Sequence, residues 1–171
     1  IENIIGSDFA DTLIGNEFNN TLDGGKGDDT LKGNAGDDSF IGGVGLDTVD
    51  YSDVTAKLEI DLGSLPTTEI ALGQGIDTYN SIEGIIGGTN DDTLTGTADA
   101  NVLSGFKGND TLRGYGGNDT LDGGDGAEDL ITFDYTSKDI VLDLSKGDAA
   151  QITKEGTLIV KNIENIQGGA G

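Results

Sequence analysis

Residues 6–50 read Gly6-Ser7-Asp8-Phe9-Ala10-Asp11-Thr12-Leu13-Ile14, then GNEFNNTLD (15–23), GGKGDDTLK (24–32), GNAGDDSFI (33–41) and GGVGLDTVD (42–50). Five nonads stand in register with no residue between them. A second run starts at Gly87 and reads GGTNDDTLT, GTADANVLS, GFKGNDTLR, GYGGNDTLD and GGDGAEDLI, ending at Ile131. All ten open on glycine. All ten carry a large apolar residue at position eight: Leu13, Leu22, Leu31, Phe40, Val49, Leu94, Leu103, Leu112, Leu121 and Leu130. Position six is Asp or Asn in nine of them; the tenth has Glu128, followed at once by Asp129. A fixed short period of this kind marks an architecture in which each unit buries its apolar side by stacking on its neighbours.

The two halves of a nonad ask for different backbones. Positions one to six, as in Gly24-Gly25-Lys26-Gly27-Asp28-Asp29, are rich in residues that tolerate positive φ and close approach. Positions seven to nine, as in Thr30-Leu31-Lys32, favour a strand whose central residue points inward. Turn, strand, turn, strand makes an eighteen-residue coil, and successive coils stack about 4.8 Å apart as parallel strands. The fold class expected is all-β, a parallel β-roll.

A longer period lies above the nonads. Ile1-Glu2-Asn3-Ile4 returns as Ile82-Glu83-Gly84-Ile85 and as Ile163-Glu164-Asn165-Ile166, each 81 residues after the last. The expected organisation is one unit over 1–81, with nonads 6–50 and an irregular segment 51–81. A second covers 82–162, with nonads 87–131 and an irregular segment 132–162, and residues 163–171 open a third. A tandem array running on in both directions is the simplest source of such a chain. Each irregular segment has an alternating stretch, Leu58–Leu62 and Ile140–Leu144, which reads as strand. Each also has a hairpin signal, Gly73-Gln74-Gly75 and Lys154-Glu155-Gly156. Tyr51 and Tyr135 are expected to cap the ends of the rolls.

Composition narrows the function. Thirty-two acidic residues against nine basic ones give a net charge of −23. Nucleic acid would be repelled, no apolar run is long enough to insert in a membrane, and a multivalent cation is the natural counter-charge. Such a coil is also weak alone. One buried Leu per nonad contributes roughly 1.5–3 kcal/mol, whereas ordering each backbone residue costs about 1–2 kcal/mol. Stacking would crowd the position-six carboxylates as well. A hard divalent cation relieves both difficulties: Ca²⁺ takes six to eight oxygens from carboxylates and carbonyls alike. With no His and no Cys, sites for zinc, copper or iron have no ligands of their usual kind.

The pattern G-G-x-G-x-D-x-(apolar)-x, met at every defined position by 24–32 and 42–50, resembles the RTX (repeats-in-toxin) calcium-binding family. The resemblance implies a right-handed parallel β-roll with Ca²⁺ between turns stacked on the same edge, held by turn carbonyls and the position-six Asp. Carried onto this chain, it implies a ligand set of Asp11, Gly25, Gly27, Asp29, Asn34, Gly36, Asp38, Gly43, Gly45 and Asp47 in the first run. In the second it implies Gly88, Asp92, Phe106, Gly108, Asp110, Tyr115, Gly117, Asp119, Gly124 and Gly126. About six Ca²⁺ are expected. One edge of the first run stacks Asp11, Asp29 and Asp47, the other Asn20 and Asp38. The second run stacks Asp92, Asp110 and either Glu128 or Asp129, then Asn101 and Asp119. Phe9, Phe18, Asn90 and Asp99 replace the position-four glycine, and Asn20 and Asn101 lack the charge, so weaker binding is expected at those turns. Asp53, Asp61, Asp139 and Asp143, outside the nonads, read as solvated charges.

The function expected is a calcium-binding structural module that folds on Ca²⁺ outside the cell. It would serve as spacer, stabiliser or secretion-folding aid in a larger bacterial protein, secreted or on the cell surface, exported by type I secretion. Its partners are Ca²⁺ and neighbouring repeats, the module itself being monomeric. The alternative is an accessory or adhesion module of an RTX enzyme or adhesin. No Gly-x-Ser-x-Gly elbow and no His or Cys nucleophile system is present, so the module is read as no enzyme.

Overall fold

The computed structural model describes residues 2–64, 74–136 and 138–169. In the first unit the strands are β1 (Asn3–Ile5), β2 (Thr12–Ile14), β3 (Thr21–Lys26), β4 (Thr30–Lys32), β5 (Ser39–Val44), β6 (Thr48–Asp50), β7 (Glu59–Asp61) and β8 (Thr78–Asn80). They continue as β9 (Gly84–Ile86), β10 (Thr93–Thr95), β11 (Val102–Ser104), β12 (Thr111–Arg113), β13 (Asp119–Asp122), β14 (Leu130–Thr132), β15 (Gln151–Ile152), β16 (Thr157–Lys161) and β17 (Asn165–Gln167). The one helical element among the described residues is a single 3-10 turn, Leu144–Lys146.

Every nonad supplies one strand from its positions seven to nine. Consecutive nonads go to different sheets, and nonads one coil apart pair in parallel: Leu13 lies against Leu31, Leu22 against Phe40, Leu94 against Leu112 and Leu103 against Leu121. An eight-stranded sheet, β15-β16-β13-β11-β9-β6-β4-β2, faces two others, β1-β3-β5-β8 and β17-β14-β12-β10-β7. The position-eight side chains meet between them in one core, most of them fully buried. The chain is an all-β roll of parallel strands, as the nonad period requires.

The eight-stranded sheet runs across the junction of the two 81-residue units, because β9 pairs with β6 on one side and β11 on the other. Equivalent strands nonetheless fall on opposite sheets: β4 lies in the eight-stranded sheet and β12, 81 residues later, in the five-stranded one. Nine nonad lengths are an odd number of half-coils, so each unit reverses the face.

Two expectations change. The insertion at Ala127-Glu128-Asp129 shifts the last nonad by one residue, so Ile131, and not Leu130, enters the core, opposite Leu112. Ile140–Leu144 is not a strand, although its counterpart β7 is. Its backbone is held by a side chain instead: Asp143 N donates to Gln151 Oε1 at 2.7 Å, and Gln151 Nε2 donates to Asp143 O at 2.9 Å. Asp143 Oδ1 then accepts the Ser145 amide and starts the 3-10 turn. Of the two hairpins, Lys154-Glu155-Gly156 does join antiparallel β15 and β16. Gly73, in the other signal, lies outside the described residues together with the segment before it, and β8 beyond it pairs in parallel with β5. Tyr51 is buried against Phe40 and Tyr79, while Tyr135 packs on Tyr115 and Phe133.

Candidate metal centre

Position six is the structural hinge of every turn. On the first edge the Asp11 amide donates to Asp29 Oδ1 at 2.8 Å, and the Asp29 amide to Asp47 Oδ1 at 2.9 Å. In the second run Asp92 N donates to Asp110 Oδ1 and Asp110 N to Asp129 Oδ1, both at 2.7 Å. On the opposite edges Asn20 N donates to Asp38 Oδ1 at 2.7 Å and Asn101 N to Asp119 Oδ1 at 3.0 Å. One carboxylate oxygen thus ties each turn to the turn a coil earlier. Asp129, not Glu128, fills the role in the last nonad; Glu128 is exposed.

The second oxygen divides the turns into two classes. In the opening turns it is capped by the amide at position two: Ser7 N donates to Asp11 Oδ2 at 2.5 Å and Gly88 N to Asp92 Oδ2 at 2.6 Å. In the two turns with Asn at position six the single side-chain oxygen takes this cap: Asn16 N donates to Asn20 Oδ1 and Thr97 N to Asn101 Oδ1, both at 2.7 Å. In the other six turns position two is left-handed: Gly25, Asn34, Gly43, Phe106, Tyr115 and Gly124 all have positive φ. Three of these are not glycine, and an L-residue held there carries a strain of roughly 1–2 kcal/mol. The inverted peptide leaves the carboxylate without its cap. Asp29 Oδ2, Asp38 Oδ2, Asp47 Oδ2, Asp110 Oδ2 and Asp129 Oδ2 are all buried with no hydrogen-bond partner.

Position-one glycine borders the space beside that oxygen. A Cβ on any of the ten would come within 2.9 Å of its own nonad's position-six side chain or that of Asp129. At Gly24 it would also meet Gly42 O of the next turn at 2.7 Å, and at Gly105 it would meet Gly123 O at 2.5 Å. An anionic oxygen and a carbonyl oxygen therefore share one small space with no donor between them. Uncompensated burial of a carboxylate is costly, and here it is repeated five times. A cation that took this place would be small and content with oxygen donors. A hard cation such as Ca²⁺ fits that donor set. Among the described residues no three acidic side chains converge on one point, so a cation held here would draw on backbone carbonyls as well.

Electrostatics agree. Burial pushes the carboxyls of Asp38, Asp47, Asp92 and Asp129 above the usual range, and those of Asp110 and Asp119 up to about 7. Stacked carboxylates add to the effect at Asp47, through Asp29, and at Asp110, through Asp92 and Asp129.

Of the predicted backbone ligands, eleven have positive φ, Gly27, Gly36, Gly45, Gly108 and Gly117 at position four among them; Gly88 and Gly126 do not. The position-four glycines lie directly on the turn below: a Cβ on Gly27 would be 2.5 Å from Ala10 N, and one on Gly108 2.5 Å from Asn90 C. Phe9, Phe18, Asn90 and Asp99 belong to the first turn on each edge of their run, where no nonad turn of that run lies beneath. Outside the nonads Asp53 pairs with Lys32, Asp139 pairs with Lys154, and Asp61 Oδ1 accepts the Gly63 amide.

Sequence reasoning missed three acidic residues of the ladders. Asp47 N donates to Glu83 Oε2 at 3.1 Å, and Asp129 N to Glu164 Oε2 at 2.9 Å. Asp38 N donates to Asp77 Oδ1 at 2.8 Å, while Asp77 Oδ2 accepts the Tyr51 hydroxyl at 2.6 Å. The signal for Asp77 was present: residues 72–80, LGQGIDTYN, keep glycine at positions two and four and Asp at six.

Comparison with protein families agrees with this geometry. The profile of the RTX calcium-binding nonapeptide repeat matches four times, over residues 5–40, 14–49, 86–121 and 95–130. These matches overlap in pairs and together take in both nonad runs, more than half of the chain. Comparison with curated proteins gives no match.

Proposed function

Because the chain belongs to the RTX calcium-binding nonapeptide-repeat family, and is thus a calcium-binding structural module, we propose that its two runs take up about six Ca²⁺ and fold on doing so outside the cell. The observation that carries this is the set of buried, partnerless carboxylate oxygens facing position-one glycines. Six turns have the left-handed position two, and five of their carboxylates are left without a partner, which supports a number near six. Asp29, Asp38, Asp47, Asp110 and Asp129 would hold the ions through those oxygens, and Asp119, whose turn has the same left-handed position two, would hold the sixth. Carbonyls at or beside Gly25, Gly27, Asn34, Gly36, Gly43 and Gly45, and at or beside Phe106, Gly108, Tyr115, Gly117, Gly124 and Gly126, would complete the shells. Asp11 and Asp92, capped by their own turns, would add charge at the first rung, with Gly88 holding Asp92 in place.

Bound Ca²⁺ supplies the positive charge that lets acidic turns stack. Without it a chain of net charge −23 repels itself, and one Leu per nonad is a thin core. The module would leave a low-calcium cytosol unfolded and fold in a calcium-rich exterior, as a spacer or stabiliser in a larger secreted or surface protein. The units 1–81 and 82–162 would be links in a longer array with 163–171 opening the next.

Circular dichroism with and without chelator, alongside a calorimetric ion count, tests the proposal. A disordered chain in chelator and a β-rich one at millimolar Ca²⁺, with Mg²⁺ a poor substitute because of its tighter octahedral demand, is the expected result. Equal β content in both conditions would refute it.

A further inference from the structure

Each 81-residue unit ends on a feature that the nonad pattern does not contain. After the last full nonad of the first run, the next layer on that edge is supplied by Ser81-Ile82-Glu83. In the second run it is supplied by Asn162-Ile163-Glu164. Both pairs of residues, Ser81 and Asn162, Glu83 and Glu164, are 81 positions apart. The backbone amides of Glu83 and Gly84 donate to Asp47 O at 3.1 and 2.8 Å, and those of Glu164 and Asn165 to Asp129 O at 3.2 and 2.8 Å. The Glu carboxylate accepts the position-six amide, as the next turn's Asp does elsewhere. Only one residue lies between the carbonyl-bearing residue and the carboxylate here, against four in a full turn, so a longer side chain has to cover the distance.

The carbonyl is also reproduced. Ser81 and Asn162 are held left-handed, with φ of 52° and 47°. In both, the carbonyl oxygen lies at the place the position-one carbonyl of the next turn has elsewhere: a Cβ on Gly42 would run into Ser81 O, and one on Gly123 into Asn162 O. The same Cβ atoms would lie 2.6 Å from Asp47 Oδ2 and from Asp129 Oδ2. Those two oxygens are buried without any partner, in residues that are themselves wholly buried.

We propose that each junction between units carries a calcium site made partly outside the nonads, from Asp47 Oδ2, Ser81 O and Glu83 at the first junction and from Asp129 Oδ2, Asn162 O and Glu164 at the second. The lead-in motif is then a truncated turn that carries the two oxygen types a stacked nonad would bring. It rests on the reading that the nonad turns bind Ca²⁺, and it adds ligands which that reading does not include. It also places a bound ion at the junction where β9 joins the two units.

The test is the ion count. Glu83→Gln and Glu164→Gln together keep an acceptor for the Asp47 and Asp129 amides and remove both charges. Calorimetric titration with Ca²⁺ should find two fewer ions than in the unsubstituted chain, whereas Glu59→Gln, on an exposed residue, should lose none. A full count in the double variant overturns the proposal and leaves the nonad sites standing; an unsubstituted chain that takes up no Ca²⁺ overturns both. Should the double variant not fold, crystals of the unsubstituted chain grown in Ca²⁺ decide. Anomalous peaks beside Asp47 Oδ2 and Ser81 O, and beside Asp129 Oδ2 and Asn162 O, support the sites. Peaks confined to the spaces between full nonad turns refute them.

Discussion

Replacing Asp29 by Asn separates its two roles, because the substitution changes one oxygen and little else. The retained side-chain carbonyl can still accept the Asp11 amide, now 2.8 Å from Asp29 Oδ1, so the rung of the ladder survives. What is lost is the negative charge at Oδ2, buried without a partner beside Gly24 and Gly42 O. In chelator that loss is a gain. Burying an unsatisfied polar group costs on the order of 1–3 kcal/mol, more when it is charged, and the amide nitrogen brings a donor into a space that already holds an acceptor carbonyl. In calcium the sign reverses. At a free Ca²⁺ a hundredfold above its Kd, one site contributes about 2.7 kcal/mol to stability, and Asp29→Asn removes that at its own site while weakening the stacked neighbour at Asp47.

The expectation is therefore a crossing. Asp29→Asn should show more β structure than the unsubstituted chain in chelator, yet need several times more Ca²⁺ to reach its folding midpoint and bind at least one ion fewer. Asp61→Asn, on a residue whose carboxylate only accepts the nearby Gly63 amide at the surface, should leave both curves in place. Circular dichroism across a calcium titration and a calorimetric ion count supply the readings. Equal shifts from the two substitutions, or an Asp29→Asn chain weakened to the same degree with and without calcium, would refute the assignment of Oδ2 to a cation.

Gly33→Ala should abolish one site and disturb the core together, since the new methyl would press on Asp38 Oδ2 and lie 2.9 Å from Phe40 Cζ; the loss should show in ion count and melting temperature. Acidification should help the ion-free fold. Burial raises Asp77, Asp110 and Asp119 to about 7 from an ordinary value near 3.8, so the fold binds protons that the unfolded chain does not. Their contribution is full below about pH 4 and lost as pH rises through 7; β content in chelator should rise from pH 8 to pH 5, while apparent calcium affinity falls as protons compete. Tyr51→Phe should destabilise the first unit by on the order of 1–3 kcal/mol by leaving Asp77 Oδ2 without its donor. Thermal melts should show that loss in calcium and in chelator alike, because Asp77 is served by a hydroxyl.

The roll itself was legible because its period is a direct consequence of geometry. A strand with one inward residue, a turn that tolerates positive φ, and a spacing of nine leave few ways to stack, and pairs such as Leu13 with Leu31 follow. The one-residue slip at Glu128 was legible only as an ambiguity. It is settled by what each choice buries: Asp129 in the ladder places Ile131 in the core, and Leu130 takes the half-buried place of a strand threonine. The failed strand at 140–144 has a different cause. Alternation gives a strand only where a sheet edge is free to take it. β7 pairs with β10, whereas among the described residues 140–144 has no strand partner and the Asp143 peptide groups are taken by the Gln151 side chain.

Asp77, Glu83 and Glu164 escaped because a repeat is recognised by what recurs at fixed spacing, and these residues act where the spacing breaks. Each continues a ladder across a change in length: the amide-to-carboxylate step is eighteen residues between full turns, or nineteen at the one-residue insertion, but 39 from Asp38 to Asp77, 36 from Asp47 to Glu83 and 35 from Asp129 to Glu164. What is preserved at these steps is a requirement, that the last position-six amide be met by a carboxylate, and different side chains satisfy it. Where a tyrosine hydroxyl reaches the second oxygen, as Tyr51 does at Asp77, the ladder ends in a hydrogen bond that needs no ion. Beside Glu83 and Glu164 no such donor meets Asp47 Oδ2 or Asp129 Oδ2. The two kinds of ending differ in what closes them: at Asp77 a tyrosine hydroxyl meets the last carboxylate, while at Asp47 and Asp129 the second oxygen stays without a donor, and on the proposal above a cation would meet it there.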